Sequence, residues 1–241
     1  MTSALSEYSQ VGVGIVVPYD FALDRELWRW APVESTLHLT RLPVGPTAVT
    51  VEMVTKVGDT DHVLTAVSDL LTVRPSVLAY GCTSGSFIRG LAGEQRLVAV
   101  MLDAGAPLAV TTSGALLQAL DLLGVDKVSI ATPYSAAITA GLRDFLIAAG
   151  REVVGVSDLN LTMNIWTVPQ RVTADLIRAA DAPDAQAIVV SCTNLATYEL
   201  IAPLEAQLGK PIVSANQATI WAALRMVGLA AVGEGQRLLD H

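Results

Sequence analysis

Short apolar runs alternate with helical patterns along nearly the whole chain. The runs are rich in valine, isoleucine and leucine, and most lack a polar–apolar alternation, as expected of strands buried on both faces. Strands separated by helices predict βαβ units with right-handed crossovers and mainly parallel sheets. The predicted strands are Val11–Val17, Thr36–Thr40, Val77–Gly81, Leu108–Thr111, Lys127–Ala131, Glu152–Ser157, Ala187–Ser191 and Pro211–Ser214. The predicted helices are Asp61–Leu71, Glu94–Ala104, Ser113–Leu123, Ser135–Ala149, Pro169–Ala180, Thr197–Leu208 and Gln217–Val227.

The chain also repeats itself weakly. Gly14–Tyr19 resembles Ser129–Tyr134, and a cysteine loop follows each of them at a similar distance. Val110–Ala115 and Val213–Ala218 then match in position, and each opens a predicted helix. Chance similarity among apolar strand ends is the competing explanation, but three landmarks in the same order favour a duplication.

The repeat predicts an α/β fold of two pseudo-symmetric, Rossmann-like halves. We expect residues 1–122 to form the first half, residues 123–216 the second, and the helix in residues 217–241 to complete the first. Ligands of open α/β sheets bind beyond the carboxyl ends of the strands. Because all the repeated landmarks lie at such ends, we expect one cleft between the halves to collect them.

The only two cysteines of the chain lie in similar loops, in Gly81-Cys82-Thr83 and Ser191-Cys192-Thr193. Each loop follows a predicted strand and precedes a predicted helix. Backbone N–H groups and the positive end of a helix dipole favour the thiolate at such a turn. We therefore predict one site that both thiols reach; the alternative is that both cysteines are inert, buried apolar residues.

Composition limits the kinds of partner. Of the 241 residues 52% are hydrophobic and 16% are charged, and the formal net charge is −8. The acidic balance disfavours nucleic acid and anionic membranes, which call for basic patches. No predicted export signal or membrane-spanning run is present, so we expect a cytoplasmic protein with free thiols. Subunit contacts in a homo-oligomer would cover part of the apolar excess.

Several chemistries do not fit the sequence. The cysteines are too far apart for zinc-ligand spacing, and His38, His62 and His241 lie away from the cysteine loops. Gly12–Gly14 lies inside a strand rather than after one, and no Walker-type lysine is present, which disfavours nucleotide binding. The remaining prediction is thiol chemistry on a small substrate without a metal or cofactor.

Polar residues around the thiols suit a carboxylate ligand. We expect the amides and hydroxyls of Thr83, Ser84, Thr193 and Asn194 to donate to it at helix N-termini, although these residues also suit simple helix capping. Tyr134 and Asn164 are further candidates for substrate contact; the alternatives are a half-buried tyrosine and an Asx-type turn. Tyr19, in the turn after the first strand, is also a candidate for substrate contact, because that turn lies at the carboxyl end of a strand. For Asp20–Trp30, which follows, an amphipathic helix with one core tryptophan is favoured over a lid.

The segments Gly81–Phe87 and Ser191–Leu195 together resemble the aspartate/glutamate racemase superfamily, most closely its maleate cis-trans isomerase and arylmalonate decarboxylase branch. The resemblance implies two pseudo-symmetric halves, a site between them and no cofactor. It further implies that Cys82 is the nucleophile and Cys192 its acid/base partner. On the same pattern Tyr134 and Asn164 match substrate-binding positions.

Two departures from the family pattern separate the possible reactions. Maleate isomerases carry a Pro-Ser-Ser-Asn-Thr-like turn after the first strand, where this chain has Pro18-Tyr19-Asp20-Phe21-Ala22. A dianion would not favour Asp20 unless its side chain points away. Arylmalonate decarboxylases keep only the second-half cysteine, so two cysteines favour isomerisation or racemisation. The prediction is a cis-trans isomerase of a small dicarboxylic acid; the alternatives are an aspartate-, glutamate- or hydantoin-type racemase or epimerase, a decarboxylase and a non-catalytic small-acid binder.

Overall fold

The computed structural model describes residues 10–43 and 48–241 as two four-stranded parallel sheets with flanking helices. The first sheet has the order β2-β1-β3-β4 and the second the order β6-β5-β7-β8, so the two sheets repeat one topology. The α/β prediction is therefore confirmed. The strands are β1 (Val11–Val17), β2 (Ser35–Arg41), β3 (Val77–Tyr80), β4 (Ala109–Thr111), β5 (Lys127–Thr132), β6 (Glu152–Asp158), β7 (Ala187–Val190) and β8 (Ile212–Ser214).

The central strands are buried on both faces. Every residue of β3 and of β7 has no exposed surface, which explains why these runs show no polar–apolar alternation. β1 pairs with β3 up to Val16 and Tyr80, and β5 pairs with β7 up to Ala131 and Val190. The carboxyl ends of these strands, where the cysteines follow, thus occupy equivalent positions in the two sheets.

Seven helices match the predicted ones to within a few residues at their ends. The helices are α1 (Asp24–Leu27), α2 (Val51–Val57), α3 (Thr60–Leu71), α4 (Thr83–Phe87), α5 (Gly90–Asp103), α6 (Thr112–Leu122), α7 (Ala136–Ala148), α8 (Gln170–Ala180), α9 (Tyr198–Leu208) and α10 (Ala215–Met226). The short helix α1 lies within Asp20–Trp30, where an amphipathic helix is expected. The helices α2 and α4 are not among the predicted ones, because two turns or fewer show no clear periodicity. Short 3₁₀ segments cover Ile165–Thr167 and Arg237–Asp240.

α10 connects the two halves. It packs against α6, and the hydroxyls of Thr112 and Thr219 hydrogen-bond at 2.8 Å. The C-terminal segment then returns to the first half, where Gln236 accepts a hydrogen bond from the Trp30 indole at 2.8 Å. The division of the chain near residues 122 and 216 remains a prediction. Within residues 10–43 and 48–241 no helix is long and apolar enough to cross a membrane.

Candidate active site

Both cysteines line one pocket between the two sheets. Cys82 directly precedes α4, and Cys192 lies two residues beyond β7. The pocket is narrow: its enclosed volume is about 30 Å³, within about 390 Å³ of empty space that includes open solvent. Its polar lining is Asp20, Thr83, Ser84, Tyr134, Thr193 and Asn194, and its apolar lining is Pro18, Val49, Met53, Val57 and Ile165. The structure therefore brings together seven of the nine predicted site residues.

Cys82 is a protonated thiol at rest. Its side chain is 5% exposed, and this burial raises the pKa of the thiol to about 11. The Gly85 N–H and the Ser84 hydroxyl, whose oxygen lies 3.9 Å from the sulfur, oppose the rise. The negative charge of Asp20 adds to it. The expectation that the turn favours the thiolate is thus wrong for the resting site, because desolvation outweighs the donors of the short helix α4.

Cys192 has an unusual backbone conformation. Its backbone angle φ is +97°, a value that residues other than glycine rarely adopt. Such a conformation costs on the order of 1–3 kcal/mol. Its N–H donates to the Thr83 hydroxyl at 3.3 Å, and the Asn194 N–H donates to its sulfur at 3.4 Å. Burial raises the pKa of this thiol to about 12. The first-half loop therefore holds the second-half thiol in place.

Tyr134 lines the pocket with the two thiols. Its ring is 2% exposed, and burial, together with the charges that both thiols would carry as thiolates, raises its pKa well above the usual value. Its hydroxyl is close enough to the Cys192 sulfur to oppose the rise in the pKa of that thiol. The phenol is therefore a permanent donor in the pocket, together with the first N–H groups of α4 at Thr83 and Ser84.

The Asn194 side chain binds the turn after β1. Its Oδ1 accepts from the Ala22 N–H at 3.0 Å, and its Nδ2 donates to the Asp20 carbonyl at 3.2 Å. The side chain is 4% exposed, and both ends of its amide are engaged by the protein. Asn194 lines the pocket as predicted, but its amide group positions the turn that carries Asp20.

Two predicted contact residues do not line the pocket. Tyr19 is partly buried and packs against the hydrophobic core. Asn164 is exposed at φ +54°, and its carbonyl accepts from the N–H and hydroxyl of Thr167. Their neighbours Asp20 and Ile165 line the pocket in their place.

The segment Asp20–Trp30 fixes the first half to the second. Trp30 is fully buried and Trp28 is 44% exposed, as predicted for one core tryptophan, although the helix α1 is only four residues long. Glu26, which sequence reasoning missed, is 9% exposed. Its carboxylate accepts from the N–H groups of Thr197 and Tyr198 at 2.5 and 2.7 Å.

Asn216 extends this network to the Cys192 loop. Its Nδ2 donates both to Glu26 at 2.8 Å and to the Thr193 carbonyl at 2.9 Å. A buried glutamate is rarely unpaired, and here four donors partner it, the fourth being the Thr197 hydroxyl at 3.4 Å. A glutamate among apolar and aromatic residues in the segment was the one signal in the sequence. Its partners, more than 170 positions away, were not predictable.

The apolar wall of the pocket comes from α2 and the segment around Ile165. Val49 joins these segments through a hydrogen bond from its N–H to the Thr162 carbonyl at 2.7 Å. Within the described ranges, no group of three His, Cys, Asp or Glu side chains is arranged to hold a metal ion. The site therefore offers two thiols, one carboxyl group, neutral donors and an apolar surface.

Known proteins share this fold and much of this sequence. A double mutant of arylmalonate decarboxylase in liganded form superposes with a TM-score of 0.87 at 29% identity, covering 96% of this chain and 99% of that one. Arylmalonate decarboxylase of Bordetella bronchiseptica is 35% identical over 61% of this chain and 62% of its own length. Maleate isomerase of Pseudomonas putida is 27% identical over 85% of this chain and 83% of its own length.

These comparisons confirm that the protein is an enzyme, since the relatives are decarboxylases and isomerases. They also confirm the resemblance to the maleate isomerase and arylmalonate decarboxylase branch. A model of the arylmalonate decarboxylase family matches residues 47–239, which is most of the chain. The chain belongs to the arylmalonate decarboxylase family.

Proposed function

We propose that the enzyme is a cofactor-independent isomerase of a small dicarboxylic acid, of the maleate cis-trans isomerase type. The observation that carries the proposal is the presence of two buried thiols on one small pocket, each at the carboxyl end of a central strand. Decarboxylation needs no second thiol. Similarity to maleate isomerases supports the same reaction.

In the proposed reaction Cys82 is the nucleophile. Its thiolate adds to one alkene carbon of maleate, and the π electrons move to the other carbon and its carboxylate as an enediolate. The α4 N–H groups at Thr83 and Ser84 and the Tyr134 hydroxyl are donors for that developing charge. A thiolate is a soft nucleophile that suits an electron-poor alkene.

Rotation about the former double bond and loss of the thiol complete the reaction. The C–C bond is single in the adduct, so the two carboxylates turn from cis to trans. The enediolate electrons then re-form the double bond, the C–S bond breaks, and fumarate leaves. Cys192 is the acid/base partner, which protonates the enediolate carbon to a succinyl adduct and removes that proton again.

The test is proton NMR of the purified enzyme with maleate in D₂O. Fumarate appears as a new vinyl signal, and we expect Cys82→Ser to lower kcat by about 10³-fold or more, as when a covalent catalyst is lost. Ser135→Ala, at the start of α7 and outside the pocket lining, is the matched control and retains wild-type kcat. A Cys82→Ser enzyme that keeps most of its activity would contradict the nucleophile role.

A two-thiol racemase or epimerase of an amino acid is the second candidate. The observation that favours it is that both thiols line one pocket and that Cys82 is close enough to raise the pKa of Cys192, as a base and an acid on one carbon require. Deuterium then enters an amino acid at Cα in D₂O, while maleate stays unchanged.

We also propose a cytoplasmic enzyme whose ligand is a small carboxylate and which forms homo-oligomers without nucleic-acid or membrane partners. The free thiols and the net charge of −8 support the location and the absence of polyanion binding. Size-exclusion chromatography with light scattering tests the oligomer, and a monomer at micromolar concentration would contradict it.

A further inference from the structure

Asp20 is a pocket residue that the mechanism above does not use. It lines the pocket together with Cys82 and Cys192, and its negative charge raises the pKa of both thiols. In the described part of the chain its carboxylate accepts only from its own backbone N–H. Burial raises the pKa of this carboxyl group. Asp20 thus lines the same pocket as the two thiols, and none of the ion pairs among the described residues involves its carboxylate.

The position of Asp20 is fixed by the second half of the molecule. The Asn194 amide holds both the Asp20 carbonyl and the Ala22 N–H. Arg41, on the neighbouring strand β2, donates instead to the Phe21 carbonyl and to Asp24. The backbone of the turn that carries Asp20 is therefore held against the Cys192 loop, and Arg41 is engaged elsewhere.

Charge balance in the pocket requires a proton. No lysine, arginine or histidine is among the described residues that line it. A dicarboxylate, a Cys82 thiolate and an ionised Asp20 would place four negative charges there, and burial of unpaired charge is costly. The pKa values of Cys192 and Tyr134 are raised, so both stay protonated. Among the described residues that line the pocket, the Asp20 carboxylate is the remaining group that can accept a proton.

We propose that Asp20 takes the proton that leaves Cys82 and then donates it in a hydrogen bond to the second carboxylate of the substrate. The S–H bond breaks, an O–H bond forms on Asp20, and the sulfur electron pair makes the C–S bond. When the thiol leaves the product, the proton returns to sulfur. This inference rests on the proposed function and makes Asp20 both a catalytic and a specificity-determining residue.

The proposal predicts an unusual pH dependence. The reacting form holds its proton on Asp20 and the resting form holds it on Cys82, so both have the same number of protons. The rate with a carboxylate-bearing electrophile is then independent of pH through the neutral range. Asp20→Asn donates a hydrogen bond but accepts no proton, so its rate follows the thiolate and rises about tenfold per pH unit.

The first readout is alkylation of Cys82 by iodoacetate and by its neutral counterpart iodoacetamide, followed by mass spectrometry between about pH 6 and pH 9. We expect a flat iodoacetate profile for the wild type and a tenfold rise per pH unit for Asp20→Asn. Iodoacetamide needs no donor, so its rate rises with pH in both proteins. Asp24→Asn, the same substitution at a partly exposed residue of α1 that does not line the pocket, is the matched control and behaves as the wild type.

The second readout is kcat/KM for maleate over the same pH range, with a flat wild-type profile and a rising Asp20→Asn profile. Coinciding profiles of the wild type and Asp20→Asn, in either readout, overturn the inference and leave the proposed function standing. A wild type that converts no maleate but shows the expected iodoacetate contrast overturns the proposed function alone. If the wild type instead exchanges the Cα proton of an amino acid for deuterium and Asp20→Asn does not, Asp20 binds the ammonium group of that substrate, and the inference is overturned.

Discussion

Replacement of Glu26 by alanine removes the carboxylate that connects α1 to the second half. Two buried donors and one partly buried donor lose this acceptor: the Thr197 N–H, the Asn216 side-chain amide and the Tyr198 N–H. Asn216 also holds the Thr193 carbonyl next to the strained Cys192. The substitution therefore acts on stability and on the second thiol loop together.

The expected loss follows from the three unpaired donors. Each buried donor left without a partner costs about 1–3 kcal/mol. Relief of the desolvation that Glu26 itself suffers offsets part of this sum, so we expect a net loss of about 3–5 kcal/mol, as for other buried charged groups whose partners are separated. For a chain of this size the melting temperature falls by about 6–20 °C.

Urea unfolding at neutral pH, followed by circular dichroism, measures this loss. Glu34→Ala is the matched control, because Glu34 is exposed and its change stays within about 0.5 kcal/mol. A loss below about 1 kcal/mol for Glu26→Ala would refute the reasoning, since the three donors would then have found other partners.

Comparing the stability of the wild type and Glu26→Gln at several pH values tests whether burial raises the pKa of Glu26. Burial raises the pKa of Glu26 above its usual 4.5 despite its hydrogen bonds. A carboxyl group with a raised folded-state pKa contributes stability below the unfolded pKa, and this contribution is lost as pH rises through the folded pKa. The wild type therefore loses stability relative to Glu26→Gln as pH rises from about 4 to 7. Parallel unfolding curves at both pH values would contradict this.

Two further substitutions test the packing of the site. Gly85→Ala places a Cβ against the Tyr80 hydroxyl and 3.3 Å from the Cys82 sulfur. We therefore expect urea unfolding to show a loss of stability of about 1–3 kcal/mol and the enzyme activity to fall. Wild-type activity of this variant would show that the pocket has free space there. Asn194→Ala removes both hydrogen bonds to the turn that carries Asp20. We therefore expect the free energy of unfolding to fall by about 1–2 kcal/mol and kcat to fall as well. An unchanged kcat would mean that the position of this turn does not depend on Asn194.

The order of the elements could be read from the sequence. Runs such as Val77–Tyr80 and Ala187–Val190 are apolar without alternation, which is a local property of strands buried on both faces. The two thiols were also predictable as one site. Each follows a strand, and ligands of open α/β sheets bind beyond the carboxyl ends of the strands. The repeated strand-end segments, Gly14–Tyr19 and Ser129–Tyr134, predicted that the second half has the same topology as the first.

The tertiary structure alone decided the chemistry of the pocket. The direction of the thiol pKa shifts depends on how far Cys82 and Cys192 are buried, and burial is the sum of contacts from distant segments. Asn194 was predicted to bind substrate, yet its amide binds a turn 172 positions earlier. Asp20 follows a strand in the sequence, but only the packing of the two halves places it in one pocket with both thiols.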